Sequence, residues 1–375
     1  MTPAGHGQPI PLADVSRQYR RCREAIDDAV HDVLASGQYI LGPAVERFEA
    51  EFAEYLGVRH GVGVATGLDA LRLCLVALGV AEGDEVIVPA NTFAATALAV
   101  LAAGGTPVAA DVDPNTANLT VVEAEKVFTS RTKAVMPVHL YGRACEIDAL
   151  LNWAEGKGLV VLEDACQAHG AMAGDRRCGS LGIAGCFSFY PTKNLGAAGD
   201  GGFVATDDDR LARRLRELRN YGQSARYTHE RGGTNSRLDS VQAALLSVKL
   251  RHLDEWNRER QEIAASYRLR LTGSKALTLA ATPQEAAHVH HLFVVRHPAR
   301  EALLPFLAER GVHAGIHYPV PIHRQSFYST AVPGRLAAAE MLSAEVVSLP
   351  IFPGLTEEEL ERICQTIHAF DDQRG

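Results

Sequence analysis

Amine chemistry has few candidates in this chain, because only six lysines occur: Lys126, Lys133, Lys157, Lys193, Lys249 and Lys275. Lys126 and Lys249 fall in helical patterns, Lys157 in the loop Glu155-Gly156-Lys157-Gly158, Lys133 ahead of a strand and Lys275 in a Ser/Gly turn. These five read as solvated surface residues. Lys193 differs, since it follows Phe187-Ser188-Phe189-Tyr190-Pro191-Thr192 at a predicted strand end and precedes Gly196, Gly199, Gly201 and Gly202. Clustered glycines mean either a tight hairpin or a backbone that approaches something closely. A strand-end lysine beside hydroxyl groups is also what a Schiff-base lysine with a phosphate neighbour requires. On this segment alone the hairpin is the better reading.

Three further segments bear on the choice. The apolar run Leu159–Leu162 ends in Glu163-Asp164-Ala165-Cys166-Gln167-Ala168-His169-Gly170. Ligands of open α/β sheets sit at the carboxyl ends of strands, which puts Asp164 at the crevice. There it could hold the pyridinium proton of pyridoxal phosphate, with Gln167 reaching the ring's phenolic oxygen; its other reading is a helix N-cap. In Val64-Ala65-Thr66-Gly67-Leu68-Asp69 a strand turns into a helix through small residues, leaving free N–H groups for an anion. The spacing matches neither G-x-G-x-x-G nor a Walker loop, so a single phosphate suits it better than a dinucleotide. Pro89-Ala90-Asn91-Thr92-Phe93 again follows a strand, and Phe93 could stack on a planar cofactor or belong to the core.

The elements that must position these residues alternate regularly. An amphipathic helix is predicted over Asp14–Leu34. Strand-then-helix pairs follow at Val58–Val64 and Leu68–Leu78, Glu85–Val88 and Thr92–Ala103, Pro107–Ala110 and Val121–Phe128, and Ala134–Val138 and Ile147–Glu155, before the strand Leu159–Leu162. Strands separated by helices of this length imply crossover connections and a mostly parallel sheet. Two short strands, Cys186–Phe189 and Gly202–Ala205, flank the Gly-rich turn, and helices dominate from Asp207 to Leu271. The last hundred residues change character: a β-run at His291–Arg296, a helix at Ala299–Arg310, a Pro/His-rich loop at Ile316–Ile322 and a helix after Thr356. The expected architecture is α/β: a three-layer α/β/α large domain over residues 1–250 and a smaller α+β domain over 251–375.

In this order the motifs resemble the DegT/StrS family of pyridoxal-phosphate-dependent sugar-nucleotide aminotransferases, which have the aspartate-aminotransferase fold. The resemblance covers nearly the whole chain and includes Leu218-Arg219-Asn220-Tyr221-Gly222, Gly233-Thr234-Asn235-Ser236-Arg237-Leu238-Asp239 and His317-Tyr318-Pro319-Val320-Pro321-Ile322-His323. It implies that Lys193 carries the cofactor and shuttles the substrate proton, that Asp164 pairs with the pyridine nitrogen and Gln167 with the ring oxygen, and that Phe93 stacks on the ring. Backbone groups of Thr66, Gly67 and Leu68, with Ser188, would bind the phosphate. Asn235 would reach the phosphate of a neighbouring subunit, which implies a homodimer with shared active sites. The Gly67-Leu68-Asp69 turn and the His317-Tyr318-Pro319 loop resemble the subgroup acting on nucleotide-linked 3-keto-6-deoxyhexoses, dTDP sugars in the first instance. Tyr190, His317 and Tyr318 would then line the hexose pocket, and L-glutamate would be the amino donor. Tyr221 and His323 are placed beside them as substrate contacts. Arg219, Arg237 and Arg226 are candidates for the donor carboxylate and the diphosphate, with Arg226 equally a surface charge. A dehydratase of this fold carries histidine at the Lys193 position, so Lys193 argues for transamination. A 4-aminotransferase or scyllo-inosose aminotransferase, and a regulatory protein keeping the fold, are the alternatives.

Composition sets the outer limits. With 375 residues, 37 basic against 45 acidic side chains, a net charge of -8 and no Lys/Arg block, the chain has no nucleic-acid footprint. The most apolar stretch, Phe93–Val112, is broken by Gly104-Gly105-Thr106-Pro107, and Met1–Leu12 has neither a basic nor an apolar signal region. A cytoplasmic location is therefore expected, with no membrane association. Seven cysteines without a C-x-x-C pair argue against a disulfide framework and a thiolate zinc site. His288, His290 and His291 superficially suggest a metal cluster, but no carboxylate or cysteine has matching spacing, and they read as structural, so no metal is expected.

Overall fold

The computed structural model describes residues 8–274, 276–281, 288–331 and 334–374. Lys275 lies outside the described residues. The N-terminal helix breaks at Cys22 into α1 (Val15–Arg21) and α2 (Arg23–Ser36). A helix not expected from the sequence follows, α3 (Pro43–Leu56), although Pro43 at its first turn, Gly57 in a left-handed cap and inward-facing Val45, Phe48, Phe52 and Leu56 all signal it.

Alternation then proceeds as predicted: β1 (His60–Val64), α4 (Gly67–Ala77), β2 (Glu85–Pro89), α5 (Ala95–Ala102), β3 (Thr106–Ala110), α6 (Val121–Val127), β4 (Thr132–Val135), α7 (Ile147–Lys157) and β5 (Val160–Asp164). A small hairpin, β6 (Met172–Ala173) with β7 (Arg176–Arg177), precedes β8 (Ala184–Ser188) and β9 (Gly202–Thr206). Helix α8 (Asp209–Leu218) leads to a second hairpin, β10 (Gln223–Ala225) with β11 (Thr228–His229), and then to α9 (Ser240–Leu250) and α10 (Leu253–Leu271).

The main sheet has the order β1-β9-β8-β5-β4-β2-β3. Only β9 runs antiparallel to its neighbours. Side chains alternate across it as a strand requires. Val62, Val86, Val88, Leu162 and Val204 join one core with Leu71 and Leu75 of α4 and Leu215 of α8. Ile87, Val135 and Val161 face the opposite layer with Ile147 and Leu150 of α7. Phe187 and Phe203 pack on that side with Phe48 and Phe52 of α3. Helices on both faces make the three-layer α/β/α arrangement expected.

A second sheet, β12 (Thr278–Leu279), β13 (Phe293–Arg296) and β14 (Val346–Leu349), is antiparallel. It shares a core with α10, α11 (Arg300–Glu309) and α13 (Glu357–Asp372), while α12 (Ala337–Glu345) runs directly into β14. Ile10, from the start of the chain, joins this C-terminal core and bridges to Val312. Chain order and packing therefore part company at the N-terminus.

Lys249 corrects one expectation. It is buried in α9, which packs on α2 and α3, and its ammonium donates to the Gly196 carbonyl at 2.5 Å. Desolvation lowers its pKa to about 8. Lys126, Lys133 and Lys157 pair at or near the surface with Glu123, Asp84 and Glu125.

Candidate active site

Because β1, β5 and β8 run the same way, their carboxyl ends meet at one sheet edge. Register aligns them: Val64 and Ser188 both oppose Gly202 of β9, and Asp164 lies beside Cys186 of β8. That edge gathers the turn into α4, the carboxylate closing β5 and the segment from Ser188 to Lys193.

The turn into α4 is built for close approach. Thr66 caps the helix by accepting from the Asp69 N–H at 3.0 Å. A Cβ on Gly67 would stand 2.6 Å from the Ser188 Cβ, and one on Gly202 would stand 2.2 Å from the Thr66 carbonyl oxygen. Only glycine lets helix start and strand end meet, which brings the first backbone groups of α4 against Ser188. This fits a single phosphate. The Ser188 Oγ also accepts the Tyr190 N–H at 3.3 Å.

Asp164 is nearly fully buried. Its Oδ2 accepts the Thr96 hydroxyl at 2.9 Å and its Oδ1 the Cys166 N–H at 3.2 Å, while Thr92 and Thr96 hydroxyls sit 2.9 Å apart. It is no N-cap of a regular helix. Sequence reasoning missed Thr96; its signal was the Thr92/Thr96 spacing of four, flanking Phe93 on the helix predicted over Thr92–Ala103. Gln167, also buried, accepts the Tyr141 N–H through Oε1 at 2.7 Å, which leaves its Nε2 as the donor, here to the Tyr318 hydroxyl at 3.0 Å. The Tyr318 ring lies 5.5 Å from that of Phe93, which is 55% exposed and so open to a planar partner.

Lys193 reaches the same place. Burial lowers its pKa, opposed by the nearby Cys166 and Asp164. His317 is held by Ser348 Oγ on Nδ1 at 2.8 Å, and its carbonyl accepts the Tyr141 hydroxyl at 2.5 Å. Desolvation, with Lys193 nearby, depresses the His317 pKa to about 4, so it is neutral near pH 7. Behind the site, His169 is fully buried among Phe52, Phe187 and Phe189.

Other expected residues fall elsewhere. Arg219 is 7% exposed, and its Nη1 is bonded to Glu49 and, at 2.7 Å, to the Gly63 carbonyl. Its charge is satisfied internally beneath β1, so the expectation of a substrate contact is not matched. His323 sits in a short 3-10 turn with Nε2 3.4 Å from Glu340, which also binds Arg324 and Arg335. It thus lies against the Glu340–Arg324–Arg335 ion-pair cluster, and burial lowers its pKa. Arg237 donates to Asn220 Oδ1 at 2.9 Å and lies over the Tyr221 ring. Tyr190, Tyr221, Asn235 and Arg226 are exposed. His288, His290 and His291 are buried, with His288 and His290 stacked 3.8 Å apart. Among the described residues no group of three or more His, Cys, Asp or Glu could hold a metal ion.

A half-buried lysine of lowered pKa, a hydrogen-bonded carboxylate, an amide donor and a tight helix-start turn that could take a phosphate, at one edge of a three-layer α/β/α sheet, are the features of a pyridoxal-phosphate enzyme. The chain belongs to the DegT/DnrJ/EryC1/StrS aminotransferase family, which it matches over residues 20–368. It is 45% identical over 366 residues to a dTDP-3-amino-3,4,6-trideoxy-alpha-D-glucose transaminase of Streptomyces venezuelae, covering 97% of each chain. A dTDP-3-amino-3,6-dideoxy-alpha-D-galactopyranose transaminase of Aneurinibacillus thermoaerophilus is 47% identical over 361 residues, covering 96% of this chain and 99% of that one. The crystal structure of S. venezuelae DesV superposes with a TM-score of 0.95 at 45% identity, covering 98% and 99%. The chain is an aminotransferase, and pyridoxal phosphate is its cofactor.

Proposed function

We propose that this aminotransferase places an amino group on carbon 3 of a nucleotide-linked 3-keto-6-deoxyhexose, in the first instance a dTDP sugar, with L-glutamate as donor. The observation that carries the catalytic reading is the meeting of Lys193, Asp164 and Gln167 at the edge that also holds the Gly67–Ser188 cradle. Both relatives described above are named as dTDP-3-amino sugar transaminases, which supports carbon 3.

When bound, pyridoxal phosphate supplies an electron sink for the charge left as a carbon–hydrogen bond breaks. The chain's residues do the rest. Thr66, Gly67, Leu68 and Ser188 would hold the phosphate, and Phe93 would cover the ring face. Asp164, oriented by Thr96 and the Cys166 N–H, would keep a proton on the ring nitrogen, and Gln167 would donate to the ring oxygen. Lys193, with its pKa lowered by burial, is suited to take a proton from the substrate carbon and return it. Neutral His317 and Tyr318 would border the hexose with Tyr190.

The exposed Tyr190, Tyr221 and Asn235, with the half-buried Arg237, support a site completed by a second copy of the chain, in which Asn235 reaches the neighbour's phosphate. Arg237 is the better anion candidate, since Arg219 is occupied by Glu49. The hydrophobic clusters support a division near Leu250, with Ile10 joining the smaller unit. No helix of the described residues is long and apolar enough to cross a membrane, and a cytoplasmic location is proposed.

Incubation of holoenzyme with glutamate and dTDP-linked 3-keto or 4-keto-6-deoxyhexoses, or with scyllo-inosose, followed by mass spectrometry, separates the readings. Amination of the 3-keto sugar alone is expected, and Lys193→Ala should abolish it. Product only from the 4-keto sugar or inosose would overturn the assignment. No reaction with glutamate and no sugar product would favour the regulatory alternative.

A further inference from the structure

A cleft separate from the cofactor edge lies between the turn Leu140–Gly142 and the small antiparallel sheet. Its walls include Tyr141, Arg143, Arg268 of α10, Arg296 of β13, His288 and His290. The cavity measures about 50 Å³, room for a few waters or one small ion, since a water needs roughly 10–15 Å³ on this measure. A nucleotide does not fit it.

Charge in the cleft is one-sided. Arg143 spends one Nη1 contact on the Ala281 carbonyl at 3.0 Å and Arg268 one on the Ala280 carbonyl at 2.9 Å. Neither forms an ion pair with a described residue. Both guanidinium pKa values are lowered by burial; Arg143 lowers that of Arg268 further, while Asp113 and Glu146 act on Arg143 only as more distant charges. Arg296 lies 3.8 Å from Glu345 and is compensated. His288 is used internally, its Nδ1 accepting the His290 N–H at 3.0 Å.

His290 supplies an independent sign. It is 6% exposed, its Nδ1 has no hydrogen-bond partner, and its φ of 43° lies in the left-handed region that non-glycine residues rarely adopt. Buried polar atoms without partners are uncommon, and strained backbone concentrates where a side chain is held for a ligand.

We propose that this cleft is a second anion site, in which Arg143, Arg268 and His290 bind a phosphate-sized oxyanion, either free phosphate or the head of a phosphomonoester. A tetrahedral oxyanion offers acceptors to both guanidinium forks and to the protonated ring nitrogen of the His290 tautomer that donates. The site communicates with catalysis through one residue: Tyr141 lines the cleft, donates its N–H to Gln167 and donates its hydroxyl to the His317 carbonyl.

The test uses holoenzyme, so that the cofactor's phosphate site is filled. Titration calorimetry with inorganic phosphate, and in parallel with glycerol phosphate, should show one saturable site per chain. Arg143→Gln and Arg268→Gln should each weaken it at least tenfold, while Arg237→Gln, near the proposed substrate pocket, should not. Selenate soaked into wild-type crystals should give anomalous density between Arg143 and Arg268. Preference for glycerol phosphate would identify a phosphomonoester as the ligand, and equal affinity would identify free phosphate. Unchanged binding in both glutamine variants, or selenate found only elsewhere, overturns the proposal; should either variant fail to fold, the selenate position decides.

Discussion

Asp164 works only if its orientation is fixed, and here a neighbour unused by the chemistry fixes it. Thr96 Oγ1 occupies one carboxylate oxygen and Thr92 stands behind it. Thr96→Val keeps the shape of the side chain and removes the donor. A hydrogen bond to a charged group contributes about 1.5–3 kcal/mol, so kcat should fall roughly tenfold or more, with a loss of folding stability of that same order. Steady-state kinetics with the preferred ketosugar checks this, and unchanged kcat would show that the Cys166 N–H alone suffices. Glu163, the preceding residue, faces the other way. It is completely buried and accepts N–H groups from Gly179, Leu181 and Gly182 at 2.7–2.8 Å, with His139 at 2.9 Å. Burial pushes its pKa up, but the His139 hydrogen bond and charge and the backbone donors outweigh that and leave it lowered. Adjacent carboxylates on one strand thus serve opposite faces of the sheet, one for chemistry and one for anchoring a loop.

Helix α4 and strand β8 meet only because Gly67 has no side chain. Gly67→Ala would push the α4 N-terminus from Ser188, an overpacking strain of about 1–3 kcal/mol. The expected result is a cofactor Kd raised at least tenfold, measured by fluorescence titration of the apo chain, with far-ultraviolet circular dichroism unchanged. Wild-type affinity would remove the cradle from the phosphate site. The sequence made this turn legible, since small residues between an apolar run and a periodic helix mark a tight strand-to-helix connection with its backbone N–H groups open. It concealed α3 and the break at Cys22. Helix α3 has a clear apolar stripe, but it precedes the first strand and so lies outside the alternation that made the other elements easy to place.

Across the molecule, several buried histidines are held neutral. Burial, with nearby positive charge, depresses His169 and His290 to about 3 and His317 to about 4, and His288 and His291 also fall well below 6.5. The unfolded chain takes up these protons near pH 6.5 and the folded chain does not. The stability they permit is therefore complete above pH 6.5 and declines as pH falls towards the folded values, by about 1.4 kcal/mol per histidine per pH unit. Urea midpoints at pH 7.5 and pH 5.5 should differ clearly, the lower pH being less stable. Equal midpoints would mean that the rings gain protons without unfolding. Subunit sharing has its own test: mixing Lys193→Ala with Asn235→Ala chains should restore partial activity, because a mixed dimer contains one site with both native residues. No recovery after exchange would place Asn235 outside the neighbour's site.

Much of this protein is determined by local sequence. Strand and helix periods, the scarcity of lysine, and the order of the Thr66, Asp164 and Lys193 segments already define an α/β chain with a single Schiff-base candidate, because periodicity and backbone chemistry act over a few residues. Tertiary structure decided which charges were free to work. Arg219 looked like an anion ligand until Glu49, 170 residues away in sequence, was found holding it, and Lys249 looked solvated until α9 was seen buried against α2 and α3. Thr96 and Tyr141 acquired their roles only through partners in distant segments. The reason is electrostatic: a charge in water resembles any other, whereas in a protein interior its partners and its desolvation set what it can do. Those partners are brought together by the fold.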